Sequence, residues 1–353
     1  MGLPSISIKF KEQGVSAIQR GDRGVVALIL KDTSMQGSFS VSSPTDIPEG
    51  LSEFNKEQIE LAMIGYQRPP RMIIGYVIND GEGYEEAQKY LETVPFDYVA
   101  VPEIIAGEVT SFATWIKTLR DQKEKRVKAV LPHCAADHEG IINFTTEDIV
   151  TDNGEYTATE YASRIAGLIA GTPLTIASTF APLPEVVDCE GLTRDELDDA
   201  INKGEFVIFN DGEKIKVARG VNSLVTTGGD KQASFKKIKI VEAMDLIHDD
   251  VKRTAEDNYL GKYSNSYDNK CLLIVAIQGY LEGLELDGVL EGGKSNVAID
   301  LERQQSYLKS IGTAVEDMDE QEIKNANTKD KVFLKSTITI LDAIEEITLD
   351  III

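Results

Sequence analysis

Arg71–Ile78 reads RMIIGYVI, and two later apolar runs, Tyr98–Pro102 (YVAVP) and Val127–Pro132 (VKAVLP), share its β-prone composition. Between them lie segments of helical period, Tyr84–Thr93 and Val109–Lys125, the second with Phe112, Ile116 and Leu119 at i, i+4 and i+7. Short strands alternating with half-buried helices are the pattern of βαβ units feeding a parallel sheet. A further helix is expected over Thr159–Ala170, with Ile165, Leu168 and Ile169 on one face. It stops before Gly171, Thr172 and Pro173, after which Leu174–Phe180 returns to strand character.

Beyond this block the pattern changes. Thr193–Asn202 reads as an acidic helix with Thr193 as N-cap and Asp195 and Glu196 in the first turn, where the helix dipole favours negative charge. Phe206–Phe209 and Ile215–Ala218 flank an Asn-Asp-Gly turn and predict a hairpin. Two long helices follow, from about Lys236 to Tyr259 and from Tyr267 to Glu285, and a domain boundary is expected near Gly228 and Gly229. The fold class is therefore α/β, α+β overall: a βαβ-rich domain over 21–230 and an α+β carboxyl-terminal domain over 231–346. Strand-like arms occupy 1–20 and 347–353.

With 353 residues, 42% hydrophobic and 27% charged, the chain is long enough to bury about 75% of its unfolded surface. Its net charge of −23 opposes tracking along nucleic acid phosphates or binding to anionic lipid. Cys134, Cys189 and Cys271 are too few and too scattered for a disulfide framework, and synthesis in the cytoplasm is the expected setting. No targeting segment is expected, and the longest apolar run, Cys271–Ile277, has seven residues where a membrane span needs roughly 20.

Three stretches offer candidate chemistry. Gly288–Ser295 (GVLEGGKS) fits the phosphate-loop pattern, with Lys294 and Ser295 in the reactive places. Its flanks are inverted, however, with a helix before and a strand-like NVAIDL after, and Glu291 would face phosphate charge. His133, Cys134, Asp137, His138 and Glu139 supply enough donors for a transition metal, but a polar loop explains them equally. Ser178 lacks the G-x-S-x-G elbow. No catalytic residue, metal or cofactor is assigned. An α/β enzyme, either a phosphotransferase at Lys294 and Ser295 or a metal hydrolase at His133 and His138, stays open as an alternative, as does a closed-ring structural protein.

The chain ends carry the most unusual pattern. Ser5–Phe10 (SISIKF) alternates strictly, and Val332–Leu341 (VFLKSTITIL) and Ile347–Ile353 (ITLDIII) read as strands, the last ending on three isoleucines. A bare apolar edge of this kind templates pairing with other chains. Two readings remain at this point: pairing into the protein's own sheet, or donation to a neighbour.

These ends, with Ala17–Ala27 (AIQRGDRGVVA), Ile165–Pro173 (IAGLIAGTP), Ser178 and Thr179, resemble the contractile tail sheath proteins of myophages and R-type, diffocin-like phage-tail bacteriocins along the whole length. The resemblance implies a structural subunit, not an enzyme, that polymerises with itself around a rigid tail tube and contracts to drive the tube through a target envelope. It also implies baseplate and tail-terminator proteins as partners, with assembly in the host bacterial cytoplasm. Carried over by position, the donor residues are Ser5, Ile6, Ser7, Ile8, Lys9 and Phe10 at one end and Ile347, Leu349, Ile351, Ile352 and Ile353 at the other. Val332, Phe333, Leu334, Ile338 and Ile340 fall on the receiving strand, Lys11–Gly14 and Asp342–Glu346 are hinges, and Arg303 and Lys309 face the tube.

Overall fold

Val25–Lys31 (β1, VVALILK) is buried on both faces and forms the spine of a seven-stranded sheet. The computed structural model describes residues 17–19, 21, 23–229 and 231–352. They fall into two compact units, one of residues 23–246 and 342–352, the other of residues 17–19, 21 and 247–341.

After β1 come β2 (Gly37–Val41), α1 (Glu53–Ile64), β3 (Met72–Ile78), α2 (Glu85–Thr93), β4 (Tyr98–Ala100), α3 (Ala106–Asp121), β5 (Lys128–Pro132) and β6 (Ile141–Phe144). Then follow β7 (Ile149–Thr151), β8 (Gly154–Tyr156), α4 (Ala158–Ala170), β9 (Val186–Asp188), α5 (Arg194–Asn202), β10 (Glu205–Phe206), β11 (Ile208–Asn210) and β12 (Ile215–Val217). The main sheet has the order β10-β6-β5-β4-β1-β3-β2, parallel throughout except for β2. The expected α/β class holds.

Because β1 is central, its period of two sorts side chains into two cores instead of a wet and a dry face. Val26, Leu28 and Leu30 pack with Ile59 and Ala62 of α1 and Ile165 and Leu168 of α4. Val25, Ala27 and Ile29 pack with Leu91 of α2 and Phe112, Ile116 and Leu119 of α3. Nearly every residue of α4 is buried, and a Cβ added at Gly167 would lie 1.9 Å from the Ala62 carbonyl oxygen of α1. That glycine sets how closely the two helices approach.

At the amino edge of the sheet the chain buries a cluster of charges. The Asp97 carboxylate accepts the N–H groups of Gly24 (2.7 Å) and Val25 (2.9 Å) and pairs with Arg23 at 3.1 Å. Arg120 forms a two-pronged contact with Asp245 at 2.9 and 3.0 Å, and Lys128 lies 2.6 Å from both Glu242 and Asp245. Burial alone would raise the Glu242 and Asp245 pKa values, but the facing cations hold both below the ordinary carboxylate range.

Leu174–Phe180 is not a strand. Pro173 opens a run of turns in which Ile176 N–H donates to the Pro173 carbonyl and Ala181 N–H to that of Ser178, and Phe180 takes a left-handed φ of 57°. The local apolar composition is used for packing, while backbone bonds close turns instead of a ladder. The hairpin is β11–β12, and Thr193 caps α5 through a reciprocal capping box with Glu196.

The second unit is built from the latter half of α6 (Ile238–Asn258), α7 (Tyr267–Leu286), β13 (Asn296–Ile299), α8 (Leu301–Ser310), α9 (Glu320–Asn325) and β14 (Leu334–Thr337). The Asp250 carboxylate, fully buried, accepts the Tyr280 hydroxyl at 2.8 Å and the Gly21 N–H at 2.8 Å. β13 and β14 form an antiparallel pair, Asn296 opposite Thr337 and Ile299 opposite Leu334. The units part between Leu246 and Ile247, inside a continuous helix, where no glycine-rich linker marks the sequence. Among the described residues no helix is long and apolar enough to cross a membrane.

Two outcomes follow. Gly167→Ala should lower unfolding free energy by about 1–3 kcal/mol in urea denaturation, because the methyl meets backbone that cannot swing aside. Arg120→Ala should cost about 3–5 kcal/mol by stranding Asp245. Since Asp245 and Glu242 titrate below their unfolded values, their contribution is complete above roughly pH 4–5 and fades as pH falls further. A denaturation series across pH 3–7 should show wild type losing more stability in acid than Arg120→Ala; parallel curves would contradict this.

Candidate functional site: the carboxyl-terminal arm

The phosphate-loop look-alike folds as a closed turn. It lies between α7 and β13, the inverse of a phosphate loop's strand-to-helix setting. The Glu285 carboxylate occupies its centre, accepting the N–H groups of Gly293 (2.9 Å) and Ser295 (2.8 Å). Amides that would cradle a phosphate are already bound to the chain's own anion, which keeps Glu285 below its ordinary pKa.

The histidine-rich loop is dispersed among separate partners. His133 Nε2 lies 2.5 Å from Glu147, and the Asp137 carboxylate accepts the N–H groups of Val225 (2.7 Å) and Thr226 (2.8 Å). His138 accepts the Gly140 N–H on Nδ1 at 3.0 Å, leaving Nε2 to donate to Asp121 at 3.3 Å. Asp121, His138 and Glu139 do lie together, but Lys231 sits 2.7 Å from Glu139, supplying the positive charge that a metal would bring. Cys134 lines a surface pocket of about 360 Å³ with His133 and Lys117. Burial pushes its thiol pKa up, away from thiolate chemistry.

Doubly wound sheets place ligands where the strand order reverses, outside the strand carboxyl ends, here beside β1. That place is filled by Asp32, whose carboxylate accepts the N–H groups of Ser34 (2.9 Å) and Ser52 (2.8 Å) and the Asn55 side-chain amide (2.9 Å). Ser178 is buried in a turn against Gly220, with none of the exposure of a nucleophile elbow.

The chain end is arranged differently. Residues 347–352 belong to no strand among the described residues, and Ile347, Leu349, Ile351 and Ile352 are 75–96% exposed. Just upstream, the Glu345 side chain is withdrawn from solvent. It accepts the Thr179 hydroxyl at 2.6 Å and Arg219 Nη2 at 2.8 Å, and pairs with Lys237 at 3.1 Å. Asp342 also pairs with Lys237. The segment read as a hinge, Asp342–Glu346, is thus tied down at its carboxylates. Thr179, Arg219 and Lys237 had no assigned role in the sequence; Thr179 lay inside a motif, but nothing local linked it to Glu345.

Of the receiving segment, Leu334–Thr337 forms β14, whose sole strand neighbour among the described residues is β13. Val332 and Phe333 precede it, Phe333 packing on Tyr307 with ring centroids 5.3 Å apart, and Ile340 bridges to Leu290. Arg303 and Lys309 lie on α8, Arg303 exposed and 3.5 Å from Asp300. Ser5–Phe10, Lys11–Gly14 and Ile353 lie outside the described residues.

Residues 79–223 match the phage tail sheath protein central domain, and residues 230–353 match the phage tail sheath C-terminal domain. The tail sheath protein of Clostridium phage phiCD119 is 42% identical over 354 residues, spanning 99% of this chain and 98% of that one. The chain belongs to the phage tail sheath protein family. Solved structures share its fold. A sheath tail protein of Desulfitobacterium hafniense superimposes with a TM-score of 0.70 at 18% identity, covering 84% of this chain and 94% of that one. The contracted helical sheath of the anti-feeding prophage gives 0.75 at 14% identity, covering 100% and 99%. As a member of this family the chain is a structural subunit of a tail or tail-like particle, and the enzyme alternatives find no support among its relatives.

Titration with magnesium ATP should give no saturable heat, and Lys294→Ala should leave the calorimetric trace unchanged. Saturable binding lost in that variant would reinstate the nucleotide reading.

Proposed function

We propose that copies of this chain polymerise around a rigid tail tube through exchanged strands, Ser5–Phe10 and Ile347–Ile353 entering neighbouring subunits beside the Val332–Leu341 segment. The observation that carries the reading is an arm anchored at its root and bare beyond it. A soluble chain leaves such an apolar strand exposed at the risk of unspecific pairing, and a designated acceptor removes that risk. β14, with one strand neighbour among the described residues, offers the acceptor edge.

Each strand link is modest, about 0.5–1.5 kcal/mol per net hydrogen bond and roughly 1.5–3 kcal/mol per well-buried isoleucine. Head-to-tail contacts do not close, so the links repeat along a helical array and their sum becomes large. In this reading 1–20 and 347–353 are donor arms, 21–230 the outer domain and 231–346 the inner domain, whose α8 presents Arg303 and Lys309 to the tube. Baseplate and tail-terminator proteins bound the array at its ends, assembly takes place in the host cytoplasm, and contraction draws on conformational free energy stored at assembly, without a nucleotide. A phage tail and an R-type bacteriocin would use the same device.

Electron microscopy of the purified protein with and without tail tubes tests this. The intact chain should form sheaths or tubes, whereas Leu349→Asp with Ile351→Asp, which makes the arm unfit for a buried slot, should remain as dispersed folded particles. Removal of 1–11 should act likewise. Normal polymers from the arm variants would overturn strand exchange.

A further inference from the structure

The residues around Glu345 differ sharply in exposure. Its side chain is 8% exposed, while Ile344 is 87% and Ile347 84% exposed. Both carboxylate oxygens are engaged, Oε1 by Thr179 and Oε2 by Arg219 and Lys237. The Thr179 oxygen accepts the Gly220 N–H at 3.0 Å, which turns its own proton toward Glu345. Glu346 adds an outer contact with Arg219 at 3.3 Å. Four groups from three separate parts of the chain, the turn after α4, the loop after β12 and the residue before α6, thus form a socket for one side chain of an otherwise exposed tail.

We propose that this socket is a releasable pivot that sets the free length of the carboxyl-terminal arm. With Glu345 seated, eight residues, Glu346–Ile353, extend beyond the pivot, a reach of about 26–29 Å. The next upstream backbone tie is Leu341 N–H to the Val289 carbonyl at 3.0 Å. Unseating Glu345 together with the Asp342–Lys237 pair, which shares its lysine, frees Asp342–Glu345 as well and adds about 13–14 Å of reach. The holding force suits reversal. It consists of charge-assisted hydrogen bonds around one carboxylate, with no apolar plug, since Ile344 points away into solvent. An arm of two lengths lets an acceptor shift relative to its donor without tearing out the exchanged strand. This inference rests on the strand-exchange reading for its use, but the pivot itself is a property of the single chain.

Spin labels test it on the full chain in a Cys271→Ser background. A nitroxide at Ile347→Cys should move slowly with the body in the parent protein, and its correlation time should shorten about threefold or more in Glu345→Ala. Paired labels at Ile351→Cys and Asp198→Cys, on exposed α5, should give a broader distance distribution in that variant. Should Glu345→Ala fold poorly, Thr179→Val, which removes the hydroxyl's bonds to Glu345 and to the Gly220 N–H but leaves Arg219 and Lys237 in place, should shift both readouts in the same direction by less. Equal mobility and equal distributions in parent and variants would overturn the pivot, whatever the assembly assay shows. Normal assembly after deletion of 347–353 would overturn strand exchange and leave a mobility change in Glu345→Ala standing.

Discussion

The charge cluster at the amino edge of the main sheet is the constraint on which the larger unit depends. Arg23, Arg120 and Lys128 face Asp97, Glu242 and Asp245, three cations against three carboxylates, nearly all of them withdrawn from water. Desolvation offsets much of their mutual attraction, so such a cluster contributes geometry more than net stability. Asp97 fixes where β1 begins, Lys128 where β5 begins, and Glu242 and Asp245 lock the first turns of α6 to that edge. Apolar packing alone would tolerate a sliding helix; a two-pronged arginine contact does not.

The same economy appears wherever the sequence suggested a site for a ligand. Asp32 fills the crevice beside β1, Glu285 fills the glycine-rich turn, and Lys231 neutralises the carboxylate next to His138. In each place an internal side chain meets the demand that a substrate, phosphate or metal would otherwise meet. What the described residues leave exposed is of another kind: the apolar side chains of Ile347, Leu349, Ile351 and Ile352 at the end of the chain.

Much of this was legible in the sequence because it depends on local pattern. The period of Phe112, Ile116 and Leu119 gave α3, and Thr193 read as an N-cap ahead of Asp195 and Glu196 gave the start of α5. β1 was read only as part of a family motif, since VVALIL is buried on both faces and shows no alternation. Leu174–Phe180 misled because apolar composition there serves packing within turns. The apolar run at the carboxyl end was visible in the sequence, but the contact that anchors its root was not. Glu345 is one acid among many in a chain of net charge −23, and Thr179, Arg219 and Lys237 reach it only through the fold.

The exposed arm also bears on how the protein meets proteases. No lysine or arginine follows Lys335, so a trypsin-like enzyme finds no bond to cut in the eighteen residues that carry the arm, however open they are to solvent. This exposed segment is chemically invisible to that class of protease. In the proposed assembly the carboxyl-terminal arm would therefore outlast Ser5–Phe10 under such a protease, because Lys9 and Lys11 lie in or beside the amino-terminal arm.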